Sequence, residues 1–131
     1  MDAIAAQRRS FRPARSPAGG ALEPAIDLVH LARQTMDDPA LEMELLEMFD
    51  RQSARMVAQL TGADRVGVAQ QAILAHKLLG SALALGARRV AGAALALEDC
   101  CLAAGADCQR LGEALARAVG EARAEIRRLT Q

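Results

Sequence analysis

From Pro39 onward the apolar residues of this chain recur at three- and four-residue spacing, and the runs are punctuated by Gly62, Gly86 and Gly105. That period matches one face of an α-helix, and no segment alternates apolar and polar residues as a half-buried strand does. The apolar residues themselves point the same way. They make up 52% of the chain but are chiefly Ala and Leu; aromatics are 2%, and Trp and Tyr are absent, which favours helix over strand. A chain of 131 residues has room for one domain. The expected fold is all-α: an antiparallel four-helix up-and-down bundle with a short extra N-terminal helix.

The punctuation predicts where the helices lie. Pro24 suits the first turn of a short helix over about 24–35, with Leu22, Ile26 and Val29 on one side. Asp37-Asp38-Pro39 offers an acidic N-cap and a proline at the first helical position. The seam of the helix that follows reads Leu41, Leu45, Met48, Phe49, Gln52, Met56 and Leu60. Asp64 is the expected cap of a third helix ending at Leu85, with Gly86 just past its end. The fourth is expected over 87–104, and Asp107 caps the fifth, whose seam runs Leu111, Leu115, Ala118, Val119, Ala122, Ile126 and Leu129. Residues 1–22 contain Pro13, Pro17, Gly19 and Gly20 and are expected to form a disordered tail, leaving 23–131 as the domain.

Charge and cysteine content exclude several functions. Lys and Arg balance Asp and Glu at 16 each, so no global field favours nucleic acid or an anionic membrane. The tail is locally basic, with Arg8, Arg9, Arg12 and Arg15 against Asp2. No apolar run is long enough to span a bilayer and no secretory signal opens the chain, so a cytoplasmic location is expected. A nucleotide-binding enzyme would need a glycine-rich phosphate loop, and none is present. The three cysteines Cys100, Cys101 and Cys108 lack metal-ligand spacing and fit reduced thiols, with Cys101 in the core. No metal site is expected.

The chemistry is concentrated in residues 75–87, AHKLLGSALALGA. At about 100° per residue, Val68, Gln71, Ala75, Leu78, Ala82 and Leu85 share the core-facing direction. His76 lies more than a quarter-turn away, in a second apolar strip with Ala69, Ala72, Ile73, Gly80 and Leu83. An apolar strip on an outward face is a docking surface for a partner. Gly80 costs about 1 kcal/mol relative to alanine in mid-helix, and it stands one turn after His76, where a side chain would crowd the ring. Lys77 and Ser81 offer a positive charge and a hydroxyl nearby. Across the Gly86 hairpin, Glu98 falls at the height of His76, where its carboxylate can accept from one ring nitrogen and leave the other nucleophilic. His30 has no such company.

The run His76-Lys77-Leu78-Leu79-Gly80-Ser81, followed by Gly86-Ala87 and Leu97-Glu98, resembles the signature of histidine-containing phosphotransfer domains. The upstream Asp38-Pro39-x-Leu41, Leu45-Leu46 and Phe49 fit the same pattern, and the resemblance covers about residues 24–129. It implies that His76 accepts a phosphoryl group from the aspartyl phosphate of one receiver domain and donates it to another. The partners implied are receiver domains of hybrid histidine kinases and of bacterial response regulators in a two-component phosphorelay. Mg²⁺ would sit on the receiver, so the chain would need no cofactor and would be a monomeric carrier without turnover of its own. Lys77, Gly80, Ser81 and Glu98 would surround the phosphoryl group, and Ala69, Ala72, Ile73, Leu79 and Leu83 would dock the receiver.

One position departs from the family. Leu79 stands where a lysine is usual, which leaves open a degenerate member that binds receivers without carrying phosphate. The dimerisation domain of a histidine kinase also presents a helical histidine, but the Glu and the Arg-Thr-Pro-like run that normally follow are missing. An apolar-groove interaction module indifferent to His76 is the third alternative.

Overall fold

The computed structural model describes residues 23–103 and 106–131. The expected tail over 1–22 and the stop at Gly105 lie outside the described residues. Five helices follow in order: α1 (Leu28–Gln34), α2 (Pro39–Leu60), α3 (Val68–Leu85), α4 (Arg88–Leu102) and α5 (Gln109–Thr130). The last four form the bundle, each packing on its neighbours in sequence and α2 closing the ring against α5, while α1 lies on α3. Contacts at two heights fix the antiparallel sense of α2 and α5: Asp50 pairs with Arg123, while the Leu60 carbonyl lies beside Gly112. Arg89 pairs with Glu121 between α4 and α5. The expected all-α fold is the observed one.

Local chemistry explains the boundaries. Asp38 caps α2 by accepting from the amides of Ala40 and Leu41, with Pro39 at the first helical position. The first helix starts at Leu28, later than expected, because the Asp27 carboxylate takes the amides of Val29 and His30. Ile26 and Leu31 flank that cap, both buried, as in a hydrophobic staple, whereas Val29 is exposed. Asp64 does not cap α3. The helix begins after Gly67, and the Gln71 amide donates to the Val66 carbonyl at 2.7 Å, which accounts for a polar residue on a core face. Val68, expected on the core face, opens that helix and is exposed.

The hairpin between α3 and α4 is held by Gly86. Its φ of +85° lies in the left-handed region, and a Cβ there would come within 2.9 Å of the Asp27 carbonyl oxygen. The Asp27 amide also donates to the Gly86 carbonyl at 2.9 Å, so the chain before α1 is pinned to the hairpin. Inside the bundle, Leu78, Leu79, Leu97, Leu115 and Ile126 are fully buried. The buried face of α2 is turned from the expected seam: Leu46 and Ser53 are inside, while Leu41 and Met48 are exposed. Ser53 is tolerated there because its hydroxyl donates to the Asp50 carbonyl of its own helix.

Among the described residues, no helix is long and apolar enough to cross a membrane.

Candidate functional site

Helix α3 presents His76 with its side chain 42% exposed, and α4 presents Glu98 with its side chain nearly buried. The hairpin register brings them together: His76 Nδ1 lies 2.9 Å from Glu98 Oε2. A carboxylate only accepts, so the Nδ1–H donates and the lone pair resides on Nε2. Burial of Glu98 strengthens this bond and restrains the ring, since few water molecules compete for the carboxylate.

The pair stands in an open groove of about 410 Å³ lined by Ala72, Ile73, His76, Lys77, Glu98 and Leu102. Its rim is apolar, with Ile73 49% exposed and Leu102 69% exposed. Lys77 is exposed and supplies the cation of this lining. Leu102 was not singled out in the sequence. Its signal was the spacing from Glu98, four residues earlier, which puts both on one face of α4.

Several expected neighbours of the ring lie elsewhere. Ser81 lines a separate groove of about 130 Å³ between α2 and α3, with Leu45, Met48, Phe49, Gln52, Ala84 and Leu85. Five residues along a helix is about 140° around it, which carries the hydroxyl to the opposite flank from the imidazole. Gly80, expected on an open outward face, is buried. A mid-helix glycine has only backbone to expose, and the side chains of adjoining turns shade it.

The expected docking strip is only partly a surface. Ala69 and Ile73 are exposed and Leu83 is half-buried, but Ala72 is buried and Leu79 is fully buried. Positions 72 and 79 fall on the flank of α3 that faces α4. There Ala87, Ala91 and Ala94 are fully buried and small, so the two helices approach closely and cover that flank. Leu79 is therefore a core residue and not part of a docking surface, and Ala72 is covered except where it floors the groove. His30 ties α1 to α3, its Nε2 lying 2.8 Å from the Leu83 carbonyl oxygen.

Among the described residues no group of three or more His, Cys, Asp or Glu side chains is arranged to hold a metal ion. Comparison with protein-family models, with curated proteins and with solved structures gave no match to this chain.

Proposed function

We propose that this chain is a phosphocarrier in which His76 accepts and donates a phosphoryl group exchanged with an aspartate of a receiver domain. The observation that carries this reading is the half-exposed His76, held through Nδ1 by the buried Glu98 at the mouth of an apolar groove. In the transfer, the Nε2 lone pair attacks phosphorus, and the P–O bond to the aspartyl carboxylate breaks. The electron pair leaves with the aspartate. Positive charge developing on the imidazole is met by Glu98 through the Nδ1 proton. Lys77 stands where its ammonium can meet the phosphoryl oxygens. A receiver would contribute its own divalent cation and dock its apolar face on Ile73 and Leu102.

The second reading, a receiver-binding adaptor without phosphate transfer, draws on Leu79. The residue is buried in the core and leaves the position of the family's lysine without a charge. The two readings part in one experiment. A phosphorylated receiver domain with Mg²⁺ is mixed with the wild-type chain and with His76→Gln, and acid-labile label on the chain is followed. Label on the wild type and none on His76→Gln supports the carrier. Receiver binding without label on either, across several receivers, replaces it with the adaptor.

A further inference from the structure

The sequence suggested one core thiol, but the structure gathers all three cysteines at one end of the bundle. Cys100 and Cys101 close α4, and Cys108 immediately precedes α5. Cys101 and Cys108 are buried and Cys100 is half-buried. Both Cys100 and Cys108 aim into the same short connection: the Cys100 thiol donates to the Asp107 carbonyl and the Cys108 thiol to the Ala106 carbonyl, each at 3.8 Å. The Asp107 carbonyl belongs to the peptide bond that leads into Cys108, so Cys100 Sγ lies against the Cys108 backbone. The Cys108 side chain neighbours both thiols at the end of α4 and influences the titration of each. Forming an S–S bond would draw the two sulfurs to about 2 Å of one another, a movement at the end of α4 and the start of α5.

We propose that Cys100 and Cys108 are a redox modification site, forming an intramolecular disulfide across the α4–α5 connection when a hydroperoxide oxidises them. In the first step the Cys100 sulfur attacks the peroxide and becomes a sulfenic acid, and the O–O bond breaks to release an alcohol or water. In the second step the Cys108 thiol displaces water from that sulfenic acid and the S–S bond forms. Two electrons pass from the sulfur pair to the peroxide. Cys100 is the entry point because it is the thiol of the three that is not buried. Cys101 also neighbours Cys108, but it is buried and Cys100 is not, so Cys100 rather than Cys101 meets the peroxide first. The bond would fix the last turn of α4, which also carries Leu102, one wall of the groove beside His76. It requires nothing of His76 itself.

The rate of this reaction has a predictable pH dependence. Hydrogen bonding to Cys108 pushes the Cys100 thiol up to about 11. The thiolate is the attacking form, so oxidation is slow at neutral pH and accelerates about tenfold per pH unit while pH stays below that value.

The test treats the full-length reduced chain with hydrogen peroxide. The expected product is a monomer lighter by two hydrogen atoms, with one titratable thiol left of three and full recovery on adding dithiothreitol. Digestion by a protease that cleaves before aspartate should leave the peptide 99–106, which holds both Cys100 and Cys101, joined to the one beginning at Asp107. Alkylation of the free thiol and fragmentation between the two adjacent cysteines then place the link on Cys100. Cys101→Ala keeps the link and Cys100→Ala loses it; mapping the wild-type chain decides the matter if either variant fails to fold. Three titratable thiols after treatment, a Cys101–Cys108 link, a disulfide between two chains, or a rate flat with pH would each overturn the proposal.

Discussion

Helix α3 borders a groove on each flank, and the two differ in what they can do. Toward α4 the groove holds His76, Glu98 and Lys77 between the apolar rims Ile73 and Leu102. Toward α2 it holds Leu45, Met48, Phe49, Leu85 and the neutral polar groups of Gln52 and Ser81. Both expose apolar surface of the kind a partner covers. Only the first sets a nucleophilic nitrogen against a buried carboxylate, and this follows from register across the Gly86 hairpin. The α2 flank, joined to α3 through the longer connection 61–67, brings no ionisable side chain to its groove. An apolar groove marks where a partner can sit, and the pairing of ionisable groups decides whether a reaction happens there.

The sharpest way to break this comparison is to remove the reactive nitrogen on one flank and a polar group on the other. His76→Gln should abolish acceptance of the phosphoryl group, whereas Ser81→Ala should leave the transfer rate within about twofold, because the hydroxyl faces the other groove. Radiolabel transferred per minute from a phosphorylated receiver measures both. A comparable loss in Ser81→Ala would mean that the α2 flank takes part in the chemistry.

The next largest effect is one of stability. Leu79 is fully buried, so Leu79→Lys should lower the free energy of unfolding by about 2–4 kcal/mol, read from urea melts followed by circular dichroism. Ala69→Lys, on the exposed part of the same strip, should fall within about 0.5 kcal/mol of wild type. If Leu79→Lys is as mild as its control, the long side chain leaves the core along its aliphatic stem and reaches water near His76. The flank facing α4 would then be looser than the burial of Leu79 indicates.

What could be foreseen followed from interactions local in sequence. Asp38-Pro39 and the Gly86 turn depend on residues within four or five positions of one another, so α2 and the α3–α4 hairpin were legible. The proximity of Glu98 to His76 followed from that hairpin, because a two-residue connection leaves little freedom of register. Burial on the flanks of α3 was not legible. It depends on how closely α4 approaches, which the small side chains Ala91 and Ala94 set from another helix. The rotation of α2 was hidden for a related reason: Ser53 reads as a surface residue until its hydroxyl is seen returning to its own helix. The contact between Cys100 and Cys108 likewise depends on how the chain turns between α4 and α5.

Glu98 sharpens the comparison at the level of the pair itself. Glu98→Gln keeps the size of the side chain but gives it an amide that can donate to Nδ1, which favours the tautomer with its proton on Nε2 and removes the nucleophile. The expected fall in transfer rate is roughly ten- to a hundredfold, by analogy with carboxylates that orient a metal-bound imidazole. The midpoint of thermal unfolding should change little, and receiver binding should persist. A variant that transfers at the wild-type rate would show that His76 needs no carboxylate and that the 2.9 Å bond serves only to hold α3 against α4.

The smallest expected effects lie on the rim. Ile73 and Leu102 project from different helices on either side of the imidazole and are largely solvent-exposed, so truncation removes contact area without opening a cavity. Ile73→Ala and Leu102→Ala should each weaken receiver binding by about 0.5–1.5 kcal/mol, measured by calorimetry, with unfolding unchanged. Met48→Ala, the equivalent truncation beside the α2 groove, should leave receiver affinity unaltered. The three variants together test where the partner sits rather than what reacts. If Met48→Ala weakened binding as much as the other two, the receiver would have to cover both flanks of α3. The apolar surface would then recruit the partner as one continuous face, with the imidazole only a local feature within it.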